Sequence, residues 1–407
     1  MSESLLADTP AHVDPALFAD IDIYAPDGQA KDYHRAWARL QERHPEIVWT
    51  PRNEGHWIAL GGEALAEVQS DPVRFSNRVI VLPKSVGEQH GLIPTTIDPP
   101  EHRPYRKLLN DSLRPAAVRG LKESIREVAV DLIETFRAKG RCNFTEEYAR
   151  IFPIRIFLAL VGVPQSDAEK IRHWALCMTR PDGDMTFEEA KAAFYDYGDP
   201  LVRERTANPG DDMISNMLKA GLDDGKGGQR PLTYAEALAI VTQLLIAGVD
   251  TVVNFLGYAM LALAGSPQLR RHMLAHPGGT IAAVNELFRR FGLVAIAREV
   301  RDDIVFRGVT MKAGDMVAIP TVVHGIDPKV NPDPMTIDPQ RRRPVHSTFG
   351  SGPHMCPGQE LARAEVAITI EEWLKRIPDF RVAADSDLTN VGGIVACVNR
   401  LCLEWDT

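Results

Sequence analysis

Phe349-Gly350-Ser351-Gly352-Pro353-His354-Met355-Cys356-Pro357-Gly358 is a glycine-punctuated turn that runs straight into an amphipathic helix. Glycines at 350, 352 and 358 leave room for a flat group against the backbone, and the helix that follows aims its free amides at the Cys356 sulfur. A thiol at a helix N-terminus is acidified by those N–H groups and by the helix dipole, and the same bonds tune any metal the sulfur holds. The pattern predicts a metal-binding thiolate. The plainer reading is a buried structural cysteine, since free Cys is among the most buried residue types.

Two further motifs decide between these readings. Glu286-Leu287-Phe288-Arg289 puts an acid and a base on one helix face at i and i+3. Alone, such a pair is usually a solvated surface salt bridge. Ala247-Gly248-Val249-Asp250-Thr251 lies inside an apolar stretch, residues 237–263, whose helix start is marked by a capping box from Thr233 to Glu236. The stretch is long enough for a membrane span. Gln243, Asp250, Thr251 and Asn254 fall in its middle, however, which is costly in lipid and ordinary in a core helix. The Thr251 hydroxyl either bonds back to the Ala247 carbonyl or, with Gly248, loosens the helix and opens a small polar pocket.

In this order the three motifs resemble the cytochrome P450 family, the haem-thiolate monooxygenases. The spacing Phe-x-x-Gly-x-x-x-Cys-x-Gly is similar to the family's haem-ligand loop, and Glu286, Arg289 and Arg341 to its structural triad. Longer stretches resemble the bacterial camphor hydroxylase branch: residues 93–101, 142–161, 178–190, 249–256 and 372–380.

The resemblance implies a haem b on Cys356, with its propionates held by His102, Arg106, Arg298 and His354, and with Phe349 and Gly248 against the macrocycle. Arginine suits a carboxylate because its planar fork pairs bidentately and stays charged. On the distal side Thr251 and Asp250 would handle protons. Asp250 could instead be an ion-pair partner of Arg172 and Arg180, or alternate between the two roles as a gate.

The same carry-over places Val81, His90, Leu92, Thr95, Gln243 and Leu244 around the substrate. Ile246, Ala247, Val294, Ile296, Ile394 and Val395 would close the far side. These are chiefly small and branched aliphatics, as suits a compact monoterpenoid of roughly ten carbons. Four positions depart from the camphor pattern: His90 replaces a tyrosine, Gln243 a leucine, Val81 a phenylalanine and Ile296 an aspartate beside a propionate. His90 or Gln243 could reach the oxygen of a bicyclic monoterpenoid such as 1,8-cineole, with camphor or an ionone-type norisoprenoid as alternatives. Equally, His90 could turn to solvent and Gln243 bond a nearby backbone group.

No Gly-x-Gly-x-x-Gly fingerprint opens a strand–helix unit, so electrons must come from outside. The resemblance implies an acidic [2Fe–2S] ferredoxin served by an NADH-dependent ferredoxin reductase. Arg103, Arg106, Arg341, Arg342 and Arg343 are candidates for its docking face, or simply for a solvated turn.

Composition agrees with these expectations. The 407 residues show no repeat and no linker, which predicts one mostly α-helical domain over residues 1–407 with a smaller β-rich region, and a monomer. A net charge of −9 argues against nucleic acid as a partner. No basic-apolar leader precedes the first helix, and the five cysteines are odd in number with no CxxC spacing, which suits a reduced, cytoplasmic protein without a membrane anchor. A cysteine hydrolase would need His346 or His354 as a base and leaves the Asp250-Thr251 helix unexplained. A non-catalytic haem-binding protein would not need Thr251, and a thiolate peroxygenase would dispense with the proton relay.

Periodicity predicts helices over residues 33–44, 118–139, 167–180, 187–207 and 282–291, with a β hairpin over 47–60. A second β segment, 304–309, is expected to pair with 317–319.

Overall fold

The computed structural model describes residues 6–179, 183–223 and 228–407. Its central helix begins where the sequence marks it. The Thr233 hydroxyl accepts from the Glu236 N–H at 3.3 Å, and the Glu236 carboxylate accepts from the Thr233 N–H at 2.7 Å. Arg230 and the Tyr105 hydroxyl, both at 2.6 Å, hold the same carboxylate. From this cap Tyr234–Ala247 runs into the core, the helix breaks, and Thr251–Gly265 resumes. By length and composition Tyr234–Gly265 could cross a membrane, but most of its apolar window is buried inside the protein.

Helix Gln359–Arg376 follows the Cys356 loop and packs on Pro115–Arg137. Trp373 is its anchor, with ring centroids 5.4 Å from Phe144 and 5.7 Å from both Phe136 and Trp405. Such a ring removes roughly 150–250 Å² from water, at most about 4–6 kcal/mol each. Phe152–Val161 stops at Gly162, whose φ of +74° supplies the left-handed cap a side chain would resist.

The β-rich side is a five-stranded sheet in the order Ile47–Thr50, His56–Ala59, Met316–Pro320, Ala295–Val300, Phe75–Ser76. The first two strands form the expected hairpin, with Ile47 opposite Ala59. Val317, on the central strand, pairs in parallel with Trp57 and antiparallel with Arg298, which fixes Arg298 on an interior strand of the sheet.

Most helix expectations hold within a few residues. Tyr33–Arg43, Pro115–Arg137, Ala168–Thr179 and Thr280–Arg290 are shifted slightly, and Phe187–Ala207 keeps its expected ends. One pairing is corrected: Ile304–Phe306 pairs with Val309–Met311, not with residues 317–319. Arg307 and Gly308 have φ of +49° and +82°, a two-residue turn that closes the hairpin locally and frees Met316–Pro320 for the large sheet.

Candidate active site

The Cys356 loop is folded by its own backbone. Cys356 N–H donates to the Phe349 carbonyl at 2.7 Å, and Gly350 and Gly352 take φ of +73° and +70°. Gly352 abuts Ser70, where a Cβ would lie 2.7 Å from the Ser70 Cα. Phe349 lies between Phe288, whose tilted ring is 4.7 Å away, and the Arg363 guanidinium, 4.7 Å from the ring centroid.

The expected acidification of the thiol is corrected. Burial pushes Cys356 up, against the downward pull of the Gly358 amide, Arg106, Arg363 and the Gln359 amide. The helix terminus lowers the cost of a thiolate without producing one, and a coordinated metal would remove the proton outright.

Beside this sulfur lies a cluster of bases, His102, His354, Arg106 and Arg298, with Asp98 as the acid whose charge reaches His102 and Arg298. The His102 and His354 rings are 4.0 Å apart, and each has a buried Nε2 with no hydrogen-bond partner. Burial, then the neighbouring Arg106, holds His102 down at about 4. Burial, then His102, Arg298 and Arg106, holds His354 at about 2. Arg298 is 3% exposed, its Nε is unpaired, and its Nη1 donates only to the Ala297 carbonyl at 2.7 Å. Burial pulls it down to about 10. Arg106 donates to the Met355 carbonyl and to Asn110 at 2.8 Å.

A buried, unpaired guanidinium beside two neutral imidazoles is unfavourable in the protein alone and suited to an anion. The donors therefore fit the two carboxylates of a haem, and the sulfur fits its iron.

Glu286, Arg289 and Arg341 meet. Arg289 grips Glu286 with two bonds of 2.8 Å, and Arg341 Nε adds contacts of 3.2 and 3.1 Å. The Asp338 N–H also donates to the same carboxylate, at 3.0 Å. Arg341 is thereby consumed, which corrects its place on a docking face. Arg103, Arg342 and Arg343 are exposed.

On the other side the central helix opens between Ala247 and Thr251. Gly248 N–H still donates to Leu244, and the ladder resumes with Asn254 N–H on the Asp250 carbonyl at 3.2 Å. The half-buried Thr251 begins the second segment rather than bonding back to Ala247. A Cβ on Gly248 would lie 2.4 Å from the Phe157 ring, so this glycine admits Phe157.

Asp250 is buried and accepts from the Thr179 hydroxyl at 3.4 Å. It shares a cavity of about 30 Å³ with Asn254, Arg150 and Arg172, room for one or two waters. Arg172 pairs with Glu169 at 2.8 Å, its i−3 neighbour, rather than with Asp250. Arg180 lies outside the described residues.

The expected pocket walls converge through backbone bonds. Val294 bridges Val395, Ala295 N–H donates to Ile394 at 2.9 Å, and Ala297 N–H donates to Ile80, next to Val81, at 2.8 Å. Ile296 is half-buried between the last two donors; Leu92 and Leu244 are buried, Thr95 and Ile246 half-buried, and Ala247 exposed.

His90 does not turn to solvent: it is 6% exposed, with Phe187 5.8 Å from its ring. Gln243 adjoins it and favours the protonated ring, yet burial dominates and holds His90 at about 4. Neither His90 nitrogen nor Gln243 Oε1 has a hydrogen bond of good geometry, and the nearest polar group to the ring is Gln243 itself rather than a backbone group, so the pair is at best loosely satisfied.

Arg363, Thr179 and Phe157 were not expected at the site. Thr179 and Phe157 arrive from distant elements, and only Arg363, one turn into the helix after Cys356, had a position that could have pointed to it.

The model of the family described as cytochrome P450 matches residues 280–387. A probable cytochrome P450 127A1 from Sinorhizobium fredii is 30% identical, covering 97% of this chain and 96% of its own. The mycinamicin IV hydroxylase/epoxidase of Micromonospora griseorubida is 30% identical over 85% of this chain and 88% of its own. Among solved structures, CYP101J2 superposes with a TM-score of 0.89 at 42% identity, covering 99% of this chain and all of its own. CYP101C1 gives 0.89 at 36% identity, over 98% of this chain and all of its own. A loop that aims buried amides at a sulfur, a cluster of bases awaiting carboxylates and relatives that match almost end to end lead to one conclusion: the chain belongs to the cytochrome P450 family, haem b-dependent monooxygenases.

Proposed function

We propose that this monooxygenase hydroxylates a small oxygenated bicyclic monoterpenoid, with 1,8-cineole as the first candidate, using electrons from a [2Fe–2S] ferredoxin in the cytoplasm. The observation that carries the substrate reading is the loosely satisfied polar trio of His90 Nδ1, His90 Nε2 and Gln243 Oε1 beside an otherwise aliphatic wall. An ether or ketone oxygen accepts from a His90 N–H or the Gln243 amide and offsets the desolvation of the donor, while the aliphatic wall takes the hydrocarbon.

In this reading the Cys356 sulfur would hold the haem iron, and His102, Arg106, Arg298 and His354 would hold the propionates. Haem bound there would supply oxygen activation. The chain supplies protons and position. Asp250 passes a proton from the small cavity lined by Arg150 and Arg172 toward the opened helix, and the Thr251 hydroxyl delivers it to the distal side. Val294, Ile296 and Val395 hold the substrate carbon skeleton against rotation and exclude water. Exposed Arg103, Arg342 and Arg343 support a basic docking face for an acidic ferredoxin.

Spin-state titration of the ferric protein tests the substrate: cineole should bind tighter than camphor, and the reverse order would reject the choice. The ligand assignment is tested by Cys356→His, which should retain haem and lose the thiolate character of the reduced, carbon-monoxide-bound spectrum.

A further inference from the structure

We propose that His173, Cys177 and Asp184, residues the haem site does not use, form a site for a zinc-class divalent ion after helix Ala168–Thr179. His173 and Cys177 stand at i and i+4 on that helix and so share a face. Beyond it the chain returns through Gly183, whose Cβ would lie 2.9 Å from the Cys177 sulfur and 3.1 Å from its Cα. Only a residue without a side chain fits there. That approach delivers Asp184 Oδ1 to 3.2 Å from His173 Nε2 and 3.5 Å from Cys177 Sγ.

The two spacings to Asp184 match a metal polyhedron, and the His173 and Cys177 donors need only small side-chain rotations to close the third. Zinc bonds of about 2.0 Å to nitrogen and oxygen and about 2.3 Å to sulfur, at the tetrahedral angle, place the ligand atoms about 3.3 Å and about 3.5 Å apart. All three donor atoms lie within 4.8 Å of one another, and among the described residues this is the one such cluster of His, Cys or carboxylate groups.

The donor set selects the ion. Calcium and magnesium take oxygen shells, whereas one imidazole, one thiolate and one carboxylate suit zinc and leave a fourth position for water. Cys177 is buried, the His173 side chain is about half exposed and Asp184 is exposed, so an ion can enter from solvent. Burial and the Asp184 carboxylate, which accepts from the thiol, hold Cys177 up, while the Met185 and Asp184 amides pull it down; an ion between sulfur and carboxylate would replace that proton. Binding forms the metal–sulfur bond as the S–H bond breaks, and the proton leaves to buffer with no change of oxidation state.

The tether would reach the catalytic side. Two residues after Cys177, the Thr179 hydroxyl donates to Asp250, and the Thr179 carbonyl accepts from the Ile394 N–H at 3.1 Å. An ion that clamps Asp184 to His173 and Cys177 stiffens a segment in contact with both.

Calorimetric titration of the haem-loaded protein with zinc chloride tests the site, with cobalt(II) difference spectra as the reporter of thiolate ligation. One equivalent should bind with release of one proton, and cobalt should give a sulfur charge-transfer band. His173→Ala, at an exposed position where folding is not at stake, should weaken binding roughly tenfold or more. Cys177→Ser should abolish the cobalt band, and amide exchange at residues 183–186 should slow with zinc in the parent only. Absence of binding in the parent, binding unchanged by His173→Ala, or a cobalt spectrum without the sulfur band would each overturn the proposal.

Discussion

His102 and His354 lie ring against ring, their centroids 4.0 Å apart and the planes inclined by 38°, and neither offers the other a hydrogen bond. Two imidazoles at that distance beside Arg298 and Arg106 must both be neutral, because each further positive charge would raise the energy of the rest. The cluster is an anion site held ready by desolvation.

Arg298→Met should therefore separate stability from cofactor retention. Removing a buried unpaired cation leaves the apoprotein as stable as the parent or more so in denaturant unfolding. Loss of a charge-assisted hydrogen bond, about 1.5–3 kcal/mol, should speed haem transfer to an acceptor roughly ten- to hundredfold. A destabilised apoprotein with unchanged haem transfer would contradict this account.

Acid should destabilise the apoprotein through its histidines. His90 and His102 are held at about 4 and His56 at about 3, chiefly by burial, against an ordinary value of about 6.5. Between those values the unfolded chain binds protons that the folded chain refuses, so stability is full above about pH 6.5 and falls as pH drops toward 4. Each contributes up to about 1.4 kcal/mol per pH unit. Urea midpoints measured from pH 7.5 to 4.5 should decline most steeply below 6.5, and replacing His56 with Gln should flatten the slope.

Much of this was legible in the sequence, and the failures share a cause. The Cys356 loop, the Thr233 capping box and the Glu286–Arg289 pair are local patterns, fixed by glycine torsions and by helical spacing, and they fold as read. Arg341 was placed with the triad and also offered as a docking charge; three-dimensional pairing decided for the triad. The partner of Met316–Pro320 depends on which distant strand is nearest, and no periodicity carries that. For His90 the sequence left two readings open, a pocket residue or a loop residue facing water, and the structure excludes the second. The ring's burial against Phe187 and Gln243 comes from elements about a hundred residues or more away. For Cys356 the downward pull of the helix amides was legible in the sequence, whereas the opposing desolvation depends on packing that no local pattern carries.

Gln243→Leu should reorder substrates. Loss of one buried hydrogen bond costs on the order of 1 kcal/mol, about fivefold in Kd, and should weaken cineole while camphor holds or gains. Spin-state titrations of both ligands in both proteins read this directly, and an unchanged ranking would remove Gln243 from recognition.

Thr251→Ala should bind substrate and consume NADH at near-parental rates while product per NADH falls severalfold and hydrogen peroxide rises. Coupling is the diagnostic quantity. If it stays at the parental level, the hydroxyl carries no proton.

Gly248→Ala should force its methyl into the Phe157 ring, an overpacking cost of about 1–3 kcal/mol. Adding Phe157→Leu should recover most of the lost melting temperature, since the clash is with one ring. A Gly248→Ala protein as stable as the parent would mean that the helix slides instead.

The Glu286 carboxylate is saturated by Arg289, Arg341 and the Asp338 N–H, all protein groups. Arg289 also binds the Pro334 and Thr336 carbonyls at 2.8 and 3.0 Å. Nothing in this knot waits for the cofactor, so the chain leading to Phe349 is already routed before haem arrives. The route to Phe349 thus rests on protein groups alone, and an apoprotein made without haem is expected to keep the Glu286 knot and to take up haem when it is added.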